Sequence, residues 1–220
     1  MKREIIVTAD GSSTIHLPEW NEQYHSKYGA IQEAYHVFIK SGLQLFANSE
    51  LSILEIGYGT GLNSFITFLE AQKLKLKIDY VGVEAYPVAL EEVEKLNYVS
   101  ELGAENTIEI FKKMHQQNWD EKQAVSSEFS LTKRKQFFNE IDDENTFDLI
   151  YFDAFGARVQ PELWTEEIFE AMFNSLKKEG VLVTYSAKGS VRRALQTVGF
   201  TVERLPGPPG KREMLRAKKE

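Results

Sequence analysis

The sequence of 220 residues predicts an α/β fold with a mostly parallel sheet, and three observations predict it. Residues 51–64 read LSILEIGYGTGLNS, an apolar run that meets three glycines and continues into a helix-like segment. Strand, glycine turn and helix in this order present backbone N–H groups to a nucleotide-like ligand. Residues 147–152 form a nearly continuous apolar run, which indicates a strand buried on both faces of a parallel sheet. The turn at 206–210 separates two final strands, so an antiparallel hairpin should end the sheet.

Composition limits the class of protein. The hydrophobic share of 42% and the charged share of 27% are typical of one globular α/β domain with some additional structure. The sequence contains no cysteine, which excludes disulfides, thiolate zinc sites and a cysteine nucleophile, and fits a reducing cytoplasm. No apolar run reaches membrane-spanning length. The net charge of −7 argues against sequence-blind nucleic-acid binding but allows RNA at one local basic patch.

The first half of the chain predicts an extension followed by the start of the core. We expect residues 1–50 to form an N-terminal extension, a strand (4–8) and a helix (30–45) packed on the core, with the polar stretch 14–29 wrapping the edge. Glu33 and His36 on this helix are candidate ligand contacts, although a solvated face is favoured for His36. The core should continue with two strands, over 51–56 and 78–83, and two helices, over 65–74 and 87–96. Pro87 fits the first turn of the second helix.

The second half predicts the remaining elements. Residues 97–127 are the least regular; they could form a helical insertion that either covers a substrate or simply packs on the core, and the sequence does not decide between the two. Strands should follow over 129–134 and 147–152. A helix over 161–176 should end at the cations and glycine of 177–180. The last elements should be a strand over 181–185, a helix over 190–198, and paired strands over 200–204 and 212–216.

The glycine loop carries the first functional signal. The dinucleotide-binding pattern G-x-G-x-x-G fails because Leu62 occupies the position of the third glycine. The residues instead read E-x-G-x-G-x-G, with Glu55 ahead of Gly57, Gly59 and Gly61, which resembles the pattern of S-adenosylmethionine (SAM) methyltransferases. Glycines there let the backbone close on the aminoacyl part and the ribose of the donor, where a Cβ would collide.

Two acidic residues follow predicted strands. Glu84 ends the strand 78–83 and should lie across the crevice from the glycine loop, where a carboxylate can accept hydrogen bonds from both ribose hydroxyls. Asp153 ends the buried strand 147–152, where an acid costs free energy unless a partner holds it, and this favours a functional role. Because no acid stands at 135–137, Gln136 or backbone groups are the expected contacts to adenine.

Longer stretches resemble one family. ILEIGYGTGLNS, DLIYFDAFGARVQPELWTEEIF, TYSAKGSVRRALQTVGF and PGKREML are similar to the methyltransferase domain of the bifunctional tRNA 5-methylaminomethyl-2-thiouridine biosynthesis protein family. DGSSTI and YGAIQEAYHVF resemble the opening of that domain. The resemblance covers nearly the whole chain apart from 97–127, and the DAF-to-WTEEIF block and the KREM strand are its most specific parts.

The resemblance implies a Rossmann-like, SAM-dependent methyltransferase fold over 51–220, which transfers methyl to the 5-aminomethyl group of the wobble (2-thio)uridine in tRNA. An amine attacks a methyl group already activated by sulfonium, so no metal is expected, and alignment of the reactants contributes roughly 7–11 kcal/mol. We expect Asp153 to be the catalytic residue, orienting the neutral amine. The expected donor contacts are Glu55, Gly57, Gly59, Gly61, Asn63, Glu84, Gln136 and Asp153.

A tRNA substrate requires cations near the carboxyl ends of the strands. The expected partner is the anticodon stem-loop, and the expected substrate contacts are Phe155, Arg158, Lys188, Arg192, Arg193, Lys211 and Arg212. In the bifunctional proteins a flavin-dependent oxidase follows the methyltransferase, and no second glycine-rich fingerprint is found here. We therefore expect a stand-alone cytoplasmic methyltransferase without FAD, with a separate FAD-dependent oxidase acting upstream.

Two alternatives stay open. The chain could methylate another RNA base or a small amine, which a comparison of tRNA with small amines as acceptors would distinguish. It could also be an aminopropyl-transfer or binding protein on the same fold. Polyamine sites usually contain additional acidic residues, however, and the loop FGARVQ (155–160) after Asp153 has none. A nicotinamide-dependent oxidoreductase is the least favoured, because the third glycine is missing.

Overall fold

The computed structural model describes residues 2–220, which contain eleven strands in two sheets. The strands are β1 (Glu4–Val7), β2 (Ser13–Leu17), β3 (Glu22–Gln23), β4 (Glu50–Ile56), β5 (Lys77–Val83), β6 (Lys122–Ala124), β7 (Phe129–Arg134), β8 (Phe147–Phe152), β9 (Leu176–Thr184), β10 (Thr201–Pro206) and β11 (Glu213–Lys218). The α-helices are α1 (Ala30–Ala34), α2 (Leu62–Leu74), α3 (Leu90–Val93), α4 (Tyr98–Glu101), α5 (Ile108–Gln116), α6 (Glu166–Ser175) and α7 (Gly189–Thr197). Within residues 2–220, no helix has the length and apolar character needed to cross a membrane.

The larger sheet confirms the predicted α/β architecture. Its eight strands lie in the order β10-β11-β9-β8-β4-β5-β7-β6. The five inner strands, from β9 to β7, pair in parallel, while β6, β10 and β11 pair antiparallel. The predicted antiparallel hairpin at the end of the sequence is therefore confirmed as β10 and β11, joined to the sheet through β9.

Strand β4 shows why this sequence forms a sheet that is covered on both faces. Successive side chains point to opposite faces, so Ile53 packs with Phe65 of α2 in one apolar cluster. Its neighbours Leu54 and Ile56 pack in the other cluster with Phe169 of α6. A parallel strand that is buried on both faces needs apolar residues at almost every position. The apolar run in the sequence of β4 therefore predicted a strand of this kind.

The N-terminal extension differs from the predicted strand and helix. It forms a small antiparallel sheet in which β2 pairs with both β1 and β3. The stretch 14–29 therefore contains two strands that its polar sequence did not predict. The reason is that polar side chains of β2 are buried and hydrogen-bonded: the Asn97 N–H donates to Ser13 Oγ over 2.9 Å, and the His25 N–H donates to Thr14 Oγ1 over 3.1 Å.

The single helix predicted over 30–45 is wrong. The chain forms α1, continues as a π-helix over Tyr35–Lys40, and resumes after a break as a short 3₁₀ turn at Leu43–Leu45. Gly42 marks the break, because a Cβ at this position would lie 2.7 Å from the Phe38 carbonyl oxygen. The Ser41 hydroxyl donates to the His36 carbonyl oxygen over 2.8 Å and stabilises the irregular turn.

The helix predicted over 87–96 is also too long, since only α3 is helical there. Two carboxylates bind the backbone of residues 85–89, which precede α3. The Tyr86 N–H donates to Glu84 Oε1, and the Ala89 N–H donates to Glu92 Oε2. These bonds hold residues 85–89 out of helical geometry. The following stretch, 97–127, contains α4 and α5 as expected for a helical insertion, and it adds β6 as an unpredicted edge strand.

The boundary between α6 and β9 was wrongly predicted. Residues 161–164 form a 3₁₀ turn, α6 ends at Ser175, and β9 begins at Leu176. Residues 177–180 are therefore an irregular part of β9 and do not cap the helix. Lys177 pairs with Asp148 of β8 over 2.9 Å, and Glu179 adopts a positive φ of 67°. Across this irregularity the pairing with β8 shifts register between Phe147 and Leu149.

Candidate functional site

The carboxyl ends of three adjacent parallel strands meet at one cavity of about 760 Å³. Gly57 follows β4, Glu84 follows β5 and Asp153 follows β8, and all three line the cavity. Ligands of open α/β sheets bind at this edge. The remaining lining residues are Leu17, Trp20, Tyr24, His25, Gly59, Ala85, Tyr86, Phe137, Phe138, Asn139, Ala154, Phe155, Gln160, Glu162, Leu163 and Ile168.

The glycine loop brings backbone to the floor of the cavity. At Gly57 the φ angle is 87°, and a Cβ would lie 2.7 Å from the carbonyl oxygen of Asp153. A side chain here would separate the loop from the end of β8, so glycine is required for the two to meet. Gly61, at the amino end of α2, does not line the cavity, and a Cβ there would lie 2.7 Å from His115 Nε2.

Glu84 is held by backbone on both of its oxygens. The Gly59 N–H donates to Oε2 over 3.1 Å and the Tyr86 N–H donates to Oε1 over 2.9 Å. Burial raises the pKa of this carboxyl, and the two backbone donors partly oppose the shift. The carboxyl group is thus fixed in orientation, and each oxygen keeps a lone pair with which it can accept a further hydrogen bond.

Glu55 lies behind the cavity and does not line it. It is 1% exposed, and its two oxygens accept hydrogen bonds from Asn63 Nδ2 over 2.9 Å and from the Tyr80 hydroxyl over 2.8 Å. Burial raises the pKa of Glu55 well above its ordinary value. The structure thus places Glu55 as a support for Asn63, away from any direct contact with a ligand in the cavity.

Asp153 is the carboxyl group that faces the cavity at the end of β8. Its Oδ2 accepts a hydrogen bond from Asn63 Nδ2 over 2.9 Å, so a single amide bridges Asp153 and Glu55. Burial and the nearby charge of Glu33 raise the pKa of Asp153 well above its ordinary value, and the Asn63 bond and the Lys211 charge partly oppose them. A group of this kind binds a proton more strongly than an ordinary aspartate does.

The segment after β7 reaches the cavity one residue later than expected. Gln136 does not line it, whereas Phe137, Phe138 and Asn139 do. The rings of Phe137 and Tyr86 meet edge to face at 6.0 Å, and both are exposed at the mouth of the cavity. Sequence reasoning missed Asn139, which lies in the 3₁₀ turn Phe138–Glu140, five residues after the end of β7, where no local pattern marks it.

The N-terminal sheet supplies a further set of lining residues that sequence reasoning missed, namely Leu17, Trp20, Tyr24 and His25. Burial raises the pKa of Tyr24 to about 12 and lowers that of His25 to about 4. Both side chains are therefore neutral near pH 7. The aromatic content of 14–29 was visible in the sequence, but nothing local in it indicated that these rings face the cavity at the edge of the larger sheet.

The predicted basic contacts do not converge on the cavity, and within residues 2–220 no lysine or arginine lines it. Arg158 pairs with Glu22 of β3 over 2.9 Å. Lys211 pairs with the buried Glu33 and lies 3.9 Å from the centre of the Tyr185 ring. The other predicted cations lie near α7 or the final hairpin, and three are exposed (Lys188, Arg193 and Arg212) while Arg192 is partly buried.

Comparisons with known proteins agree with this geometry. The profile of a family described as S-adenosyl-L-methionine-dependent methyltransferase matches residues 94–220. The bifunctional protein MnmC of Hydrogenovibrio crunogenus, named for tRNA 5-methylaminomethyl-2-thiouridine biosynthesis, is 27% identical over 211 residues, which cover 89% of this chain and 31% of the relative. The protein of the same name from Cupriavidus metallidurans is 28% identical, over 96% of this chain and 33% of the relative. The chain thus spans about a third of the length of these curated relatives.

Solved structures show the same fold. The crystal structure of MNMC2 from Aquifex aeolicus is 25% identical and superposes with a TM-score of 0.78, over 100% of this chain and 70% of that chain. Spermidine synthase from Thermotoga maritima superposes with a TM-score of 0.62 at 15% identity, over 99% of this chain and 68% of that chain. At this identity the second likeness concerns the fold alone.

Proposed function

Because the chain belongs to the S-adenosyl-L-methionine-dependent methyltransferase family, we propose that it methylates the 5-aminomethyl group of (2-thio)uridine at the tRNA wobble position, giving 5-methylaminomethyl-(2-thio)uridine. One observation carries the proposal: the glycine loop, Glu84 and Asp153 line a single cavity, so a donor and an acceptor can meet in it. The relatives named for this tRNA modification support the choice of substrate.

The donor end of the cavity fits SAM. The glycine at position 57 lets the loop pack on the end of β8 and keeps the loop backbone at the cavity wall, and Glu84 presents oriented carboxyl oxygens to ribose hydroxyls. Phe137, Phe138 and Asn139 offer apolar surface and an amide to an adenine ring. When bound, SAM supplies an electrophilic methyl group on a sulfonium. Of the expected donor contacts, Glu55 and Asn63 act behind the cavity by holding Asp153.

Asp153 prepares the acceptor amine. An ammonium group has no lone pair, so the amine must lose its proton before it can attack. A carboxyl group whose pKa is raised by burial accepts that proton more readily than an ordinary aspartate, and it can then hold the amine by a hydrogen bond. Because Asn63 fixes one oxygen of Asp153, the orientation of this hydrogen bond is set before the acceptor arrives.

The RNA backbone meets cations outside the cavity. We propose that Lys188, Arg193 and Arg212, which are exposed, contact phosphates of the anticodon stem-loop, with Arg192 beside them. Arg158 and Lys211 are paired with carboxylates of the N-terminal extension, so they act in positioning protein segments. The relatives are named for tRNA biosynthesis, and tRNA is abundant in the cytoplasm, which supports a cytoplasmic location.

A separate FAD-dependent oxidase would supply the free aminomethyl group. The relatives are named bifunctional, and this chain aligns with about a third of their length. We propose that this part carries the methyl transfer and that removal of a carboxymethyl group, where it is required, is not carried out by these 220 residues.

The experiment incubates the protein with methyl-labelled SAM and tRNA that carries 5-aminomethyl-2-thiouridine, followed by mass spectrometry of the nucleosides. We expect label in 5-methylaminomethyl-2-thiouridine. Parallel reactions with putrescine, with spermidine and with tRNA that lacks the aminomethyl group test methylation of small amines or of another base. Label in those acceptors, with none in the wobble nucleoside, would refute the proposed substrate.

A further inference from the structure

The cavity has a second end, which is built by the N-terminal sheet. Trp20 lies in the turn between β2 and β3, and Tyr24 follows β3. Both rings meet Phe155 edge to face, at 5.8 Å for Trp20 and 5.0 Å for Tyr24. Phe155 is two residues beyond Asp153, so the aromatic group begins beside the carboxyl that faces the cavity.

Charge distinguishes this end from a site for phosphate or for a polyamine. No lysine or arginine from residues 2–220 lines the cavity, so a polyanion finds no counter-charge inside it. The acids in the lining are Glu84, Asp153 and Glu162. Glu84 is held by backbone at the donor end, and Glu162 is exposed. Asp153 is therefore the carboxyl next to the three rings, which suits a planar ring with one amine better than a linear, multiply charged amine.

Two arginines fix these aromatic walls in place. Arg158, in the loop after β8, donates to the carbonyl oxygens of Trp20 and Asn21 and to the carboxylate of Glu22. Arg3 donates to Glu92 over 2.8 Å, and its guanidinium lies 5.9 Å from the centre of the Tyr24 ring. The turn that carries Trp20 and the side chain of Tyr24 are therefore tied to both sides of the cavity mouth. A binding surface held in this way loses little entropy when a ligand docks.

We propose that Trp20, Tyr24 and Phe155 form the acceptor subsite, which encloses one unstacked pyrimidine base and directs its amine towards Asp153. This inference rests on the proposed function and adds the place where the base binds. Enzymes that act on a base take it out of its stack and hold it against aromatic side chains. The ribose and phosphates of the same nucleotide then stay outside, where the exposed cations lie.

The test compares Trp20→Leu and Tyr24→Leu with Tyr28→Leu, which changes an exposed aromatic residue of the same extension outside the cavity. We expect kcat/KM for aminomethyl-bearing tRNA to fall on the order of 10- to 100-fold in the first two variants, because base stacking on an aromatic ring has that magnitude. Affinity for S-adenosylhomocysteine, measured by calorimetry, should stay near the wild-type value in Trp20→Leu and Tyr28→Leu, whereas Tyr24 packs against Gly59 of the glycine loop and is judged by kcat at saturating SAM. Trp20→Phe and Tyr24→Phe should recover most of the activity.

The outcomes separate this inference from the proposed function. If the wild type methylates tRNA and both leucine variants keep wild-type kcat/KM, the subsite is refuted and the function stands. If the wild type methylates no tRNA, the function fails. A second readout tests the subsite even if a leucine variant does not fold. Free 5-aminomethyluridine is added to wild-type protein saturated with S-adenosylhomocysteine, and it should quench the tryptophan fluorescence. The Trp20→Phe variant should show no such quenching. Equal quenching in Trp20→Phe would overturn the subsite independently.

Discussion

Replacing Asn63 by leucine removes the amide that links two carboxyl groups while it keeps the number and branching of the side-chain heavy atoms. Asn63 is 2% exposed, and its Nδ2 donates to Glu55 Oε1 and to Asp153 Oδ2, both over 2.9 Å. A hydrogen bond to a charged group contributes about 1.5–3 kcal/mol. The bond to Asp153 is the one that bears on chemistry, and losing its orienting effect should lower kcat by roughly 10- to 100-fold.

The assay measures kcat for tRNA methylation and the affinity for S-adenosylhomocysteine on the same preparations. We expect Asn63→Leu to lose turnover while donor-product affinity stays within about threefold, because Asn63 does not line the cavity. Asn118→Leu is the matched control, since that exposed amide bonds only to Glu121. Turnover of Asn63→Leu within about threefold of the wild type would refute the positioning role.

Asn63→Asp gives a pH readout on the same position. It places a third carboxyl in contact with Glu55 and Asp153, so its pKa in the folded state should lie above that of the unfolded chain. The folded protein then binds a proton that the unfolded chain releases, and the free energy of unfolding should fall more steeply with rising pH than in the wild type. Urea titrations at pH 5 and pH 8 measure this difference, and parallel pH profiles would contradict it.

Three further predictions concern neighbouring groups. Burial raises the pKa of Asp153, so the contribution of this residue to stability is largest at low pH and is lost as pH rises through the folded-state pKa. In Asp153→Asn the urea midpoint should therefore fall less with rising pH than it does in the wild type. The same variant should lower kcat at least about 100-fold. Glu84→Gln should weaken S-adenosylhomocysteine binding about tenfold in calorimetry, because an amide replaces one acceptor oxygen by a donor, and an unchanged affinity would contradict the ribose assignment. Arg193→Ala should reduce the slope of log K for tRNA binding against log salt concentration by about one. Arg158→Ala should raise KM for tRNA and leave that slope unchanged, because Arg158 pairs with Glu22. Equal slopes in both variants would argue against phosphate contact by Arg193 and a positioning role for Arg158.

Much of the sheet follows from local sequence. β7 and β8 begin and end where the alternating and continuous apolar patterns predicted. The positions of Glu84 and Asp153 at the edge of the sheet were predicted because an acid directly after a buried strand has a known place in a parallel sheet, and both residues line the cavity. The predictions that failed depend on contacts distant in sequence. The helix over 30–45 breaks at Gly42, where a Cβ would lie 3.1 Å from Cγ2 of Val183 and 3.4 Å from Cδ1 of Leu149, and helical periodicity does not report these neighbours.

Only part of the cavity lining was predicted, because the rest also depends on contacts between residues distant in sequence. Trp20 and Tyr24 reach the cavity only because the small N-terminal sheet lies across it, and this placement depends on residues such as Arg158, more than 130 positions away. Arg158 and Lys211 looked like phosphate contacts because charged residues in loops usually face solvent. Their carboxylate partners, Glu22 and Glu33, lie in the extension, and no pattern in the sequence pairs them.

The pairing of Glu33 with Lys211 has a consequence for biosynthesis. The two residues are 178 positions apart, and at a synthesis rate of roughly 5–20 residues per second about 10–40 s pass between them on the ribosome. Until Lys211 emerges, the buried Glu33 has the Ser26 N–H as its hydrogen-bond partner and lacks its counter-charge. The charge of Lys211, which opposes the raised pKa of Asp153, is therefore among the last parts of this environment to be synthesised.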